Sequence, residues 1–454
     1  MTARPLNRRR RAAAGIVGLA LAATACGTGG STASEGEADA DASLPAGCED
    51  YADYAGSSGT EVSMYTSIRD IEADRYVQSF EEFEKCTGIT INYEGSGEFE
   101  AQLNVKVQGG NAPDIAFIPQ PGLLQRFVQA GKVMEVPEGT AENVEEFWSE
   151  AWKEYGSVDG KLYAAPMGAN VKSYVWYSPS QFEEAGYEVP TTLDELMALS
   201  DEIAGSGKKP WCAGIESGDA TGWPATDWVE DMMLRTAGAE TYDQWVNHEI
   251  PFNDDAVVEA VDAVGAILKN EKYVNAGFGD VRSIATTSFQ DAGTPILEGE
   301  CFLHRQASFY ANQWPEGTTV AEDGDVFAFY LPSESEDSKP VLGGGEFVAA
   351  FADRPEVQKV QTYLSSDEYA NTKAEIGDWI SANTGLDVAN VKNPIDQLSV
   401  ETLQDESAEF RFDGSDLMPA AVGAGSFWNG MTEWINGAET KQVLDGIEES
   451  WPSS

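Results

Sequence analysis

The stretch that decides the fold is residues 61–95, EVSMYTSIRDIEADRYVQSFEEFEKCTGITINYEG. Residues 62–66 favour a strand, residues 70–85 carry apolar side chains at helical spacing, and residues 89–93 alternate as a strand does. The same alternation continues downstream with a predicted helix, strand and helix at residues 99–107, 114–118 and 122–130. Strands that alternate with helices predict a doubly wound α/β domain.

The carboxyl ends of these predicted strands are the first candidates for a binding site, because ligands of doubly wound sheets bind there. The segments at those ends are residues 67–69, 95–98 and 119–121, which supply hydroxyl, amide and carboxyl groups. They contain no glycine-rich phosphate-binding fingerprint. Residues 95–97 have an alternative interpretation as a plain turn.

A long extended run at residues 162–177 is typical of a strand that passes from one domain to the next. The further predicted elements are strands at residues 301–306 and 326–331 and helices at residues 180–186, 193–204, 254–270 and 354–364. Residues 339–351 are predicted to hold a turn at residues 343–346, Gly-Gly-Gly-Glu, and the C-terminal tail is predicted to be mostly helical.

Residues 211–235, WCAGIESGDATGWPATDWVEDMMLR, are predicted to begin a helix at Trp223, where Pro224 occupies a first-turn position. Trp223 and Asp227 then share one helical face. An apolar ring beside a hydrogen-bond acceptor suits a sugar. The alternative is a helix that packs Trp223 and Trp228 into a core, where large aromatic residues are usually found.

Composition narrows the class of function. The 454 residues include 28 basic and 77 acidic ones, and the net charge of -49 excludes nucleic acid as a partner. This length favours two or three domains. The only histidines are His248 and His304, and there is no Cys-x-x-Cys motif, so we expect neither a metal nor a cofactor.

The N-terminus has the pattern of an export signal. A basic segment at residues 8–11 and an apolar segment at residues 12–23 precede Ala-Thr-Ala-Cys at residues 23–26. This pattern resembles a lipoprotein signal peptide, although Ala23 departs from the usual leucine. We expect residues 1–25 to be removed, Cys26 to be lipidated, and residues 26–44 to form a flexible linker. The alternative is an uncleaved anchor; both place the protein outside the membrane and tethered to it.

The four other cysteines form an even set in an oxidising compartment, which predicts two disulfides. Three pairings are possible. The pairing local in sequence, Cys48 with Cys86 and Cys212 with Cys301, is our prediction.

A family resemblance rests on the order of several motifs. They are Ser67-Ile68-Arg69 with Asp74, residues 95–100, Asn111-Ala112-Pro113-Asp114-Ile115 with residues 119–121, residues 211–235, residues 301–308 and Gly425-Ser426-Phe427-Trp428. From about Cys48 to the C-terminus, the chain resembles the extracellular solute-binding proteins of carbohydrate ABC importers, in particular the α-glucoside-binding branch related to maltose-binding proteins.

The resemblance implies a two-lobed, periplasmic-binding-protein-like (type II) α/β fold with a hinge and a central ligand cleft. The implied segments are lobe 1 at residues 45–168 plus 330–383, lobe 2 at residues 174–325 plus 384–454, and hinges near residues 169–173, 328–331 and 384–387. It also implies a monomer that binds a mono-, di- or oligosaccharide, such as maltose or trehalose. The partners would be an ABC permease pair and its cytoplasmic ATPase.

A cleft for a neutral sugar needs polar groups of fixed geometry and aromatic rings. The candidate polar residues are Ser67, Arg69, Glu98, Gln120, Lys172, Asp227, Arg305, Gln306 and Glu346, and the candidate rings are Trp223, Trp379 and Trp428. By resemblance, Trp428 lies where the maltose-binding family places a stacking ring, in a loop free to present it. The alternatives are that Arg305 only pairs with an acid, that Glu346 caps a helix and that Trp379 is a core residue.

A glycoside hydrolase is the competing function, with Glu216 and Asp227 as the most suggestive pair of carboxyl groups. With 77 acidic residues such pairs arise by chance, and no Ser-His-Asp or zinc signature is present. An adhesin is a third option, but adhesins seldom have two wound α/β lobes. We therefore expect a binding protein and not an enzyme.

Overall fold

The structure is a computed structural model that describes residues 44–452 apart from residues 278, 336, 337 and 406. The predicted signal peptide, Cys26 and the linker up to residue 43 lie outside the described residues. Within the described part of the chain, no helix is long and apolar enough to cross a membrane.

Strands and helices alternate through most of the chain. The strands are β1 (Glu61–Thr66), β2 (Thr90–Gly95), β3 (Ile115–Ile118), β4 (Ser157–Val158), β5 (Lys161–Leu162), β6 (Ala164–Val171), β7 (Tyr174–Tyr177), β8 (Lys209–Cys212), β9 (Val274–Asn275), β10 (Cys301–Arg305), β11 (Phe327–Tyr330), β12 (Lys339–Ala350) and β13 (Ala408–Phe412). The helices are α1 (Asp70–Thr87), α2 (Phe99–Gln108), α3 (Pro121–Gln129), α4 (Glu138–Phe147), α5 (Glu150–Tyr155), α6 (Pro179–Ala185), α7 (Leu193–Gly205), α8 (Trp223–Thr236), α9 (Gly238–Val246), α10 (Asp255–Leu268), α11 (Pro355–Leu364), α12 (Asp367–Ile376), α13 (Pro394–Gln404), α14 (Gly414–Leu417), α15 (Trp428–Ile435) and α16 (Thr440–Glu449).

The first sheet has the order β13-β12-β3-β1-β2, with β6 paired to β12 as well. β1 runs parallel to β2 and β3, and β12 runs antiparallel to β3 and β6. The helix α1 between β1 and β2 buries Tyr76, Phe80 and Phe83 against this sheet, as its apolar spacing predicted. The predicted doubly wound start is therefore confirmed.

The second sheet has the order β11-β7-β10-β8-β9. β8 and β10 are parallel, whereas β7 runs antiparallel to β10 and β11. Helix α8 covers this sheet and packs Trp228 edge-on against Trp211 of β8, with ring centroids 5.2 Å apart. One apolar core lies on the first sheet and continues onto residues of β7, β10 and β11, and the other packs on the second sheet. The chain is two-lobed as predicted.

The chain passes between the two sheets twice, and a third time it leaves the first sheet for helices that pack against α8. It leaves the first sheet after Val171 and enters the second at Tyr174, and it returns between Tyr330 and Lys339. The predicted hinges at residues 169–173 and 328–331 lie at these crossings. The third predicted hinge, at residues 384–387, does not, because β13 pairs with β12 in the first sheet. Residues 384–412 therefore do not follow the predicted boundary of lobe 2, and the third crossing comes after Phe412.

The predicted turn at residues 343–346 is wrong, because these residues lie within the continuous strand β12. Pairing with β6 holds them extended, with an irregularity between Glu346 and Phe347. Close approach explains the glycines: a Cβ at Gly345 would lie 2.3 Å from the carbonyl oxygen of Gly168 and 2.8 Å from the Trp152 ring.

The two predicted disulfides are present. Cys48 pairs with Cys86 at a Cα–Cα distance of 5.4 Å, and Cys212 pairs with Cys301 at 5.6 Å. The first ties the 3-10 helix Glu49–Tyr54 to α1, and the second joins β8 to β10. Each disulfide therefore lies within one lobe and leaves the crossings free.

Candidate functional site

A cavity of about 160 Å³ lies between the two sheets and takes side chains from both. The first lobe contributes Ser67, Ile68, Arg69, Glu72, Ser96, Gly97, Glu100, Pro119 and Gln120; the crossing segments and β12 contribute Asn170, Lys172, Gly344, Gly345, Glu346 and Asp413; the second lobe contributes Ser217, Ala220, Trp223, Phe289, Gln290, Phe309, Gln313, Ser415, Asp416 and Trp428.

The first-lobe wall is the carboxyl edge of the parallel strands. Ser67 follows β1, Ser96 follows β2, and Gln120 follows β3 directly before the first residue of α3. Parallel strands bring their carboxyl ends to one edge. The candidate segments chosen on this ground therefore lie together.

The second-lobe wall is aromatic. Trp223 is the first residue of α8, and its ring lies edge-on to Phe289 at 5.0 Å and tilted to Phe309 at 6.1 Å between centroids. Gly222 precedes it with φ 113°, and a Cβ there would lie 2.1 Å from the Trp428 carbonyl oxygen. Only glycine allows this approach of the two helix starts, which places Trp223 and Trp428 at one wall.

The predicted loop before Trp428 is wrong. Residues Val422–Phe427 form a π-helical turn, and α15 begins at Trp428 itself. Gly423 packs so tightly that a Cβ would lie 1.7 Å from the carbonyl oxygen of Ser415. The small residues therefore serve close packing, and Trp428 is held by its helix, with 4% of its surface exposed.

The two walls contact each other beside the cavity. Arg69 Nη2 donates to Gln290 Oε1 at 3.3 Å, and the backbone N–H of Ala101 donates to Asp219 Oδ2 at 2.8 Å. A Cβ at Gly218 would lie 2.4 Å from the Gly97 carbonyl oxygen. The structure thus describes lobes that are closed on the cavity.

A buried ion-pair network lies at the base of the cavity, between the two walls. Lys172 Nζ donates to Asp227 Oδ1 at 3.0 Å and to Asp413 Oδ2 at 2.5 Å. Burial alone would lower the pKa of Lys172, but these carboxylates raise it well above the usual value. Carboxyl oxygens of Asp227, Glu230 and Asp413 lie within 4.8 Å of one another, so the lysine neutralises a dense acidic cluster.

Burial raises the pKa values of several carboxyl groups that line the cavity. Burial, with the nearby Glu346 carboxyl, raises the pKa of Glu72 to about 8. Burial also raises the pKa values of Glu100 and Glu346 to about 7. Near neutral pH these groups exchange between donor and acceptor roles, which matches a ligand rich in hydroxyl groups.

The structure brings seven of the twelve candidate binding residues to this cavity: Ser67, Arg69, Gln120, Lys172, Trp223, Glu346 and Trp428. The other five are not among its lining residues: Glu98, Asp227, Arg305, Gln306 and Trp379. Glu98 is exposed and accepts from Gln102, whereas Trp379 lines a smaller adjoining chamber.

Arg305 serves the second lobe internally. Its guanidinium donates to Asp227 Oδ2 at 3.1 Å and to Asp231 Oδ2 at 2.6 Å, which ties β10 to α8. Asp227 and Asp231 are fully buried, and these bonds compensate their carboxylate charges. The Gln306 side chain accepts from the backbone N–H of Ala307 at 2.8 Å and is equally buried. These pairs agree with the alternative in which Arg305 pairs with acidic neighbours.

Several lining residues were missed: Glu72, Glu100, Asn170, Phe289, Gln290, Phe309, Gln313, Asp413 and Asp416. Glu100 lies two residues beyond the candidate Glu98, and only the orientation of the first turn of α2 separates them. The others come from helices, strand ends and loops whose approach to the cavity depends on tertiary topology, which left no local signal.

Buried polar atoms without a partner concentrate around this region. Within the described part of the chain, nine buried side-chain nitrogen or oxygen atoms lack a hydrogen bond, and five of them belong to residues that line the cavity or the adjoining chamber: Tyr76, Gln120, Asn170, Trp379 and Trp428. Native proteins leave few such atoms unpaired, so these atoms are available to a bound molecule.

Residues 70–371 match the family of bacterial extracellular solute-binding proteins, and the chain belongs to that family. Among curated relatives, it is 42% identical to the osmoprotective compounds-binding protein GgtB of Synechocystis sp., across 84% of this chain and 90% of that protein. It is 36% identical to the alpha-glucosides-binding periplasmic protein AglE of Rhizobium meliloti, across 90% of both chains.

Solved structures share the fold at low identity. The bacterial solute receptor AcbH, described as preferring β-D-galactopyranose, superposes with a TM-score of 0.71 at 19% identity, over 86% of this chain and 98% of that one. A chitin oligosaccharide binding protein gives a TM-score of 0.70 at 20% identity, over 86% and 97%. The family and these neighbours are binding proteins and not enzymes.

Proposed function

We propose that the protein captures a neutral sugar, an α-glucoside or a similar small glucoside, in the cavity between its lobes. One observation carries this proposal. The aromatic rings of Trp223, Phe309 and Trp428 line the same cavity as buried polar atoms that have no hydrogen-bond partner. Aromatic rings suit the apolar faces of a sugar, and the polar atoms suit its hydroxyl groups. The relatives named for alpha-glucosides and for osmoprotective compounds support the same class.

Seven of the candidate residues are proposed to contact the sugar directly, namely Ser67, Arg69, Gln120, Lys172, Trp223, Glu346 and Trp428. Lys172 would do so while it keeps its bond to Asp413, and its ammonium already lies 5.5 Å from the Trp223 ring centroid. A sugar hydroxyl above that ring would therefore meet a fixed donor.

A panel of ligands tests this function. The expected result is a thermal shift with maltose, trehalose or sucrose, because a ligand at 100 times its dissociation constant adds about 2.7 kcal/mol of stability. Glycine betaine, an osmoprotectant without a sugar ring, is the control and should give none. A shift with betaine alone would contradict the proposal.

The same samples distinguish a binding protein from a glycoside hydrolase. We expect one sugar bound per chain and no released glucose after prolonged incubation. Turnover of maltose or trehalose would favour the hydrolase instead.

We also propose that Cys26 carries a lipid and that the closed, loaded protein delivers its sugar to an ABC permease pair powered by a cytoplasmic ATPase. The support is the family and the sequence at residues 23–26. Replacement Cys26→Ala should release the protein into the medium; retention on the membrane would point to an uncleaved anchor.

The lobes are proposed to open at the crossings near residues 169–173, 328–331 and 412–414. Ligand shifts the equilibrium toward closure only by its differential affinity for the closed form. Solution scattering should show a smaller radius of gyration with the bound sugar, and an unchanged radius at saturation would contradict hinge closure.

A further inference from the structure

A small chamber adjoins the main cavity on the side of the first lobe. It shares Glu72, Asn170, Phe309 and Glu346 with the main cavity and continues to Tyr76 and Trp379. Its volume of about 20 Å³ suits one water molecule or one hydroxyl group. The chamber is therefore an inner end of the ligand cleft.

Three buried polar atoms of the chamber residues lack a partner. They are the Tyr76 hydroxyl, Asn170 Oδ1 and Trp379 Nε1, in residues that are 1%, 8% and 7% exposed. Two of these atoms are hydrogen-bond donors and one is an acceptor. A hydroxyl group accepts two hydrogen bonds and donates one, so it matches this set.

Local geometry brings these groups around one space. A Cβ at Gly168 would lie 2.5 Å from Glu346 Oε2 and 2.8 Å from Trp379 Nε1, so both atoms flank the position that this glycine leaves open. Tyr76 and Glu346 both line the chamber, so the phenol and this carboxyl group face the same space.

The charges around the chamber select a neutral group. The carboxyl groups of Glu72, Glu346, Asp378 and Asp396 line it and disfavour an anion. Lys373 Nζ lies 4.8 Å from the Tyr76 ring centroid and 5.8 Å from that of Trp379, and Arg75 pairs with Asp378. Two cations of the protein therefore already offset these carboxyl groups.

We propose that this chamber is a specificity subsite that receives one hydroxyl group of the bound sugar. The Tyr76 hydroxyl and the Trp379 indole donate to that hydroxyl, and Asn170 Oδ1 accepts from it. The inference rests on the proposed function and adds which hydroxyl-bearing end of the ligand is recognised. Sugars that lack or block this hydroxyl leave three buried groups unpaired and bind more weakly.

The test removes one donor at a time. Tyr76→Phe deletes only the phenol O–H, whereas Trp379→Phe keeps an aromatic ring but removes the indole N–H together with the five-membered ring. Calorimetry with the tightest binder among maltose, trehalose and sucrose should show about three- to tenfold weaker affinity for each variant. Trp245→Phe is the matched control, because Trp245 Nε1 is also buried without a partner but belongs to the core of the second lobe.

Monodeoxy analogues of the same sugar locate the hydroxyl. One analogue should bind wild type about three- to tenfold more weakly than the parent sugar does. Tyr76→Phe should bind this analogue and the parent sugar with nearly equal affinity, because the variant and the analogue each remove one side of the same contact. Unchanged melting temperatures without ligand would show that the variants are folded.

Two failures are distinguishable. If none of the three sugars binds wild type, the proposed function fails and the subsite with it. If sugar binds wild type, Trp379→Phe and Tyr76→Phe with equal affinity, the inference alone is overturned and the chamber holds water only.

Discussion

The Trp428 side chain has features of both a core residue and a ligand-binding residue. It lines the cavity at the start of α15, but little of it is exposed and its indole nitrogen lacks a partner. If it stacks on a sugar, Trp428→Ala should weaken binding by about 1.5 to 3 kcal/mol through lost apolar contact. That is roughly ten- to more than a hundredfold in the dissociation constant, measured by calorimetry.

Trp228→Ala provides the comparison, because Trp228 is equally buried but packs on Trp211 in the core. Its truncation should cost about 3 to 5 kcal/mol of unfolding stability. A comparable loss for Trp428→Ala, with sugar affinity intact, would make Trp428 a packing residue.

Individual site residues could be predicted from the sequence where the end of a strand alone determines the position of a side chain. Ser67, Arg69 and Gln120 reach the cavity because parallel strands share a carboxyl edge. The prediction failed for Asp227 and Arg305. Both are residue types that often bind sugars, but here they form an ion pair with each other inside the second lobe. Whether two charged residues face a cavity or each other depends on tertiary contacts, which residue spacing does not encode.

Helix α2 is capped from the opposite lobe. Its own N-cap residue, Glu98, makes no side-chain capping bond, and the exposed Asp219 of the second lobe accepts from the Ala101 N–H instead. Asp219→Ala should remove this bond from the closed form and weaken sugar binding about two- to fivefold, or about 0.5 to 1 kcal/mol. Calorimetry measures the affinity, and scattering should show a larger radius without ligand.

Asp254→Ala is the matched control, since Asp254 caps α10 within a single lobe by accepting from the Ala256 N–H. It should lower unfolding stability without changing affinity. Equal affinities for both variants would show that the cap across the cleft has no role in closure.

Periodicity predicted many of the elements, including the six that open the first lobe. The exceptions are instructive. Three consecutive glycines suggested a turn, but pairing with β6 holds Gly343–Gly345 extended in β12. Strand β13 joins the first sheet from a tail assigned to the second lobe. The sheet that a strand near the C-terminus joins depends on pairing with residues distant in the sequence. The local pattern of apolar residues does not reveal this pairing.

For the whole molecule, the buried carboxyl groups predict a stability that falls with rising pH. The pKa values of Glu72 and Glu346, raised to about 8 and 7, lie above the value of 4.5 expected when unfolded. The native state then binds more protons than the unfolded state between pH 4.5 and 8, so its free energy of unfolding decreases across that range. His304, with its pKa lowered to about 4 by burial, acts in the opposite sense but only below about pH 6.5.

Urea denaturation at pH 5, 6, 7 and 8 measures this slope. Glu346→Gln should make it shallower, by up to about 1.4 kcal/mol per pH unit below pH 7. Glu145→Gln is the control, since Lys153 lowers the pKa of that exposed carboxyl and it titrates below the range. Parallel slopes for wild type and Glu346→Gln would rule out a proton held by Glu346.

The disulfide between Cys48 and Cys86 has a mechanical consequence. It fastens the first described residues to α1 within the first lobe. If a lipid on Cys26 holds the protein at the membrane, any pull along the linker meets a covalent bond at Cys48. The load then passes into the first lobe, and neither the 3-10 helix Glu49–Tyr54 nor the crossings between the lobes bear it. With such a tether, the second lobe would be free to move relative to the first lobe.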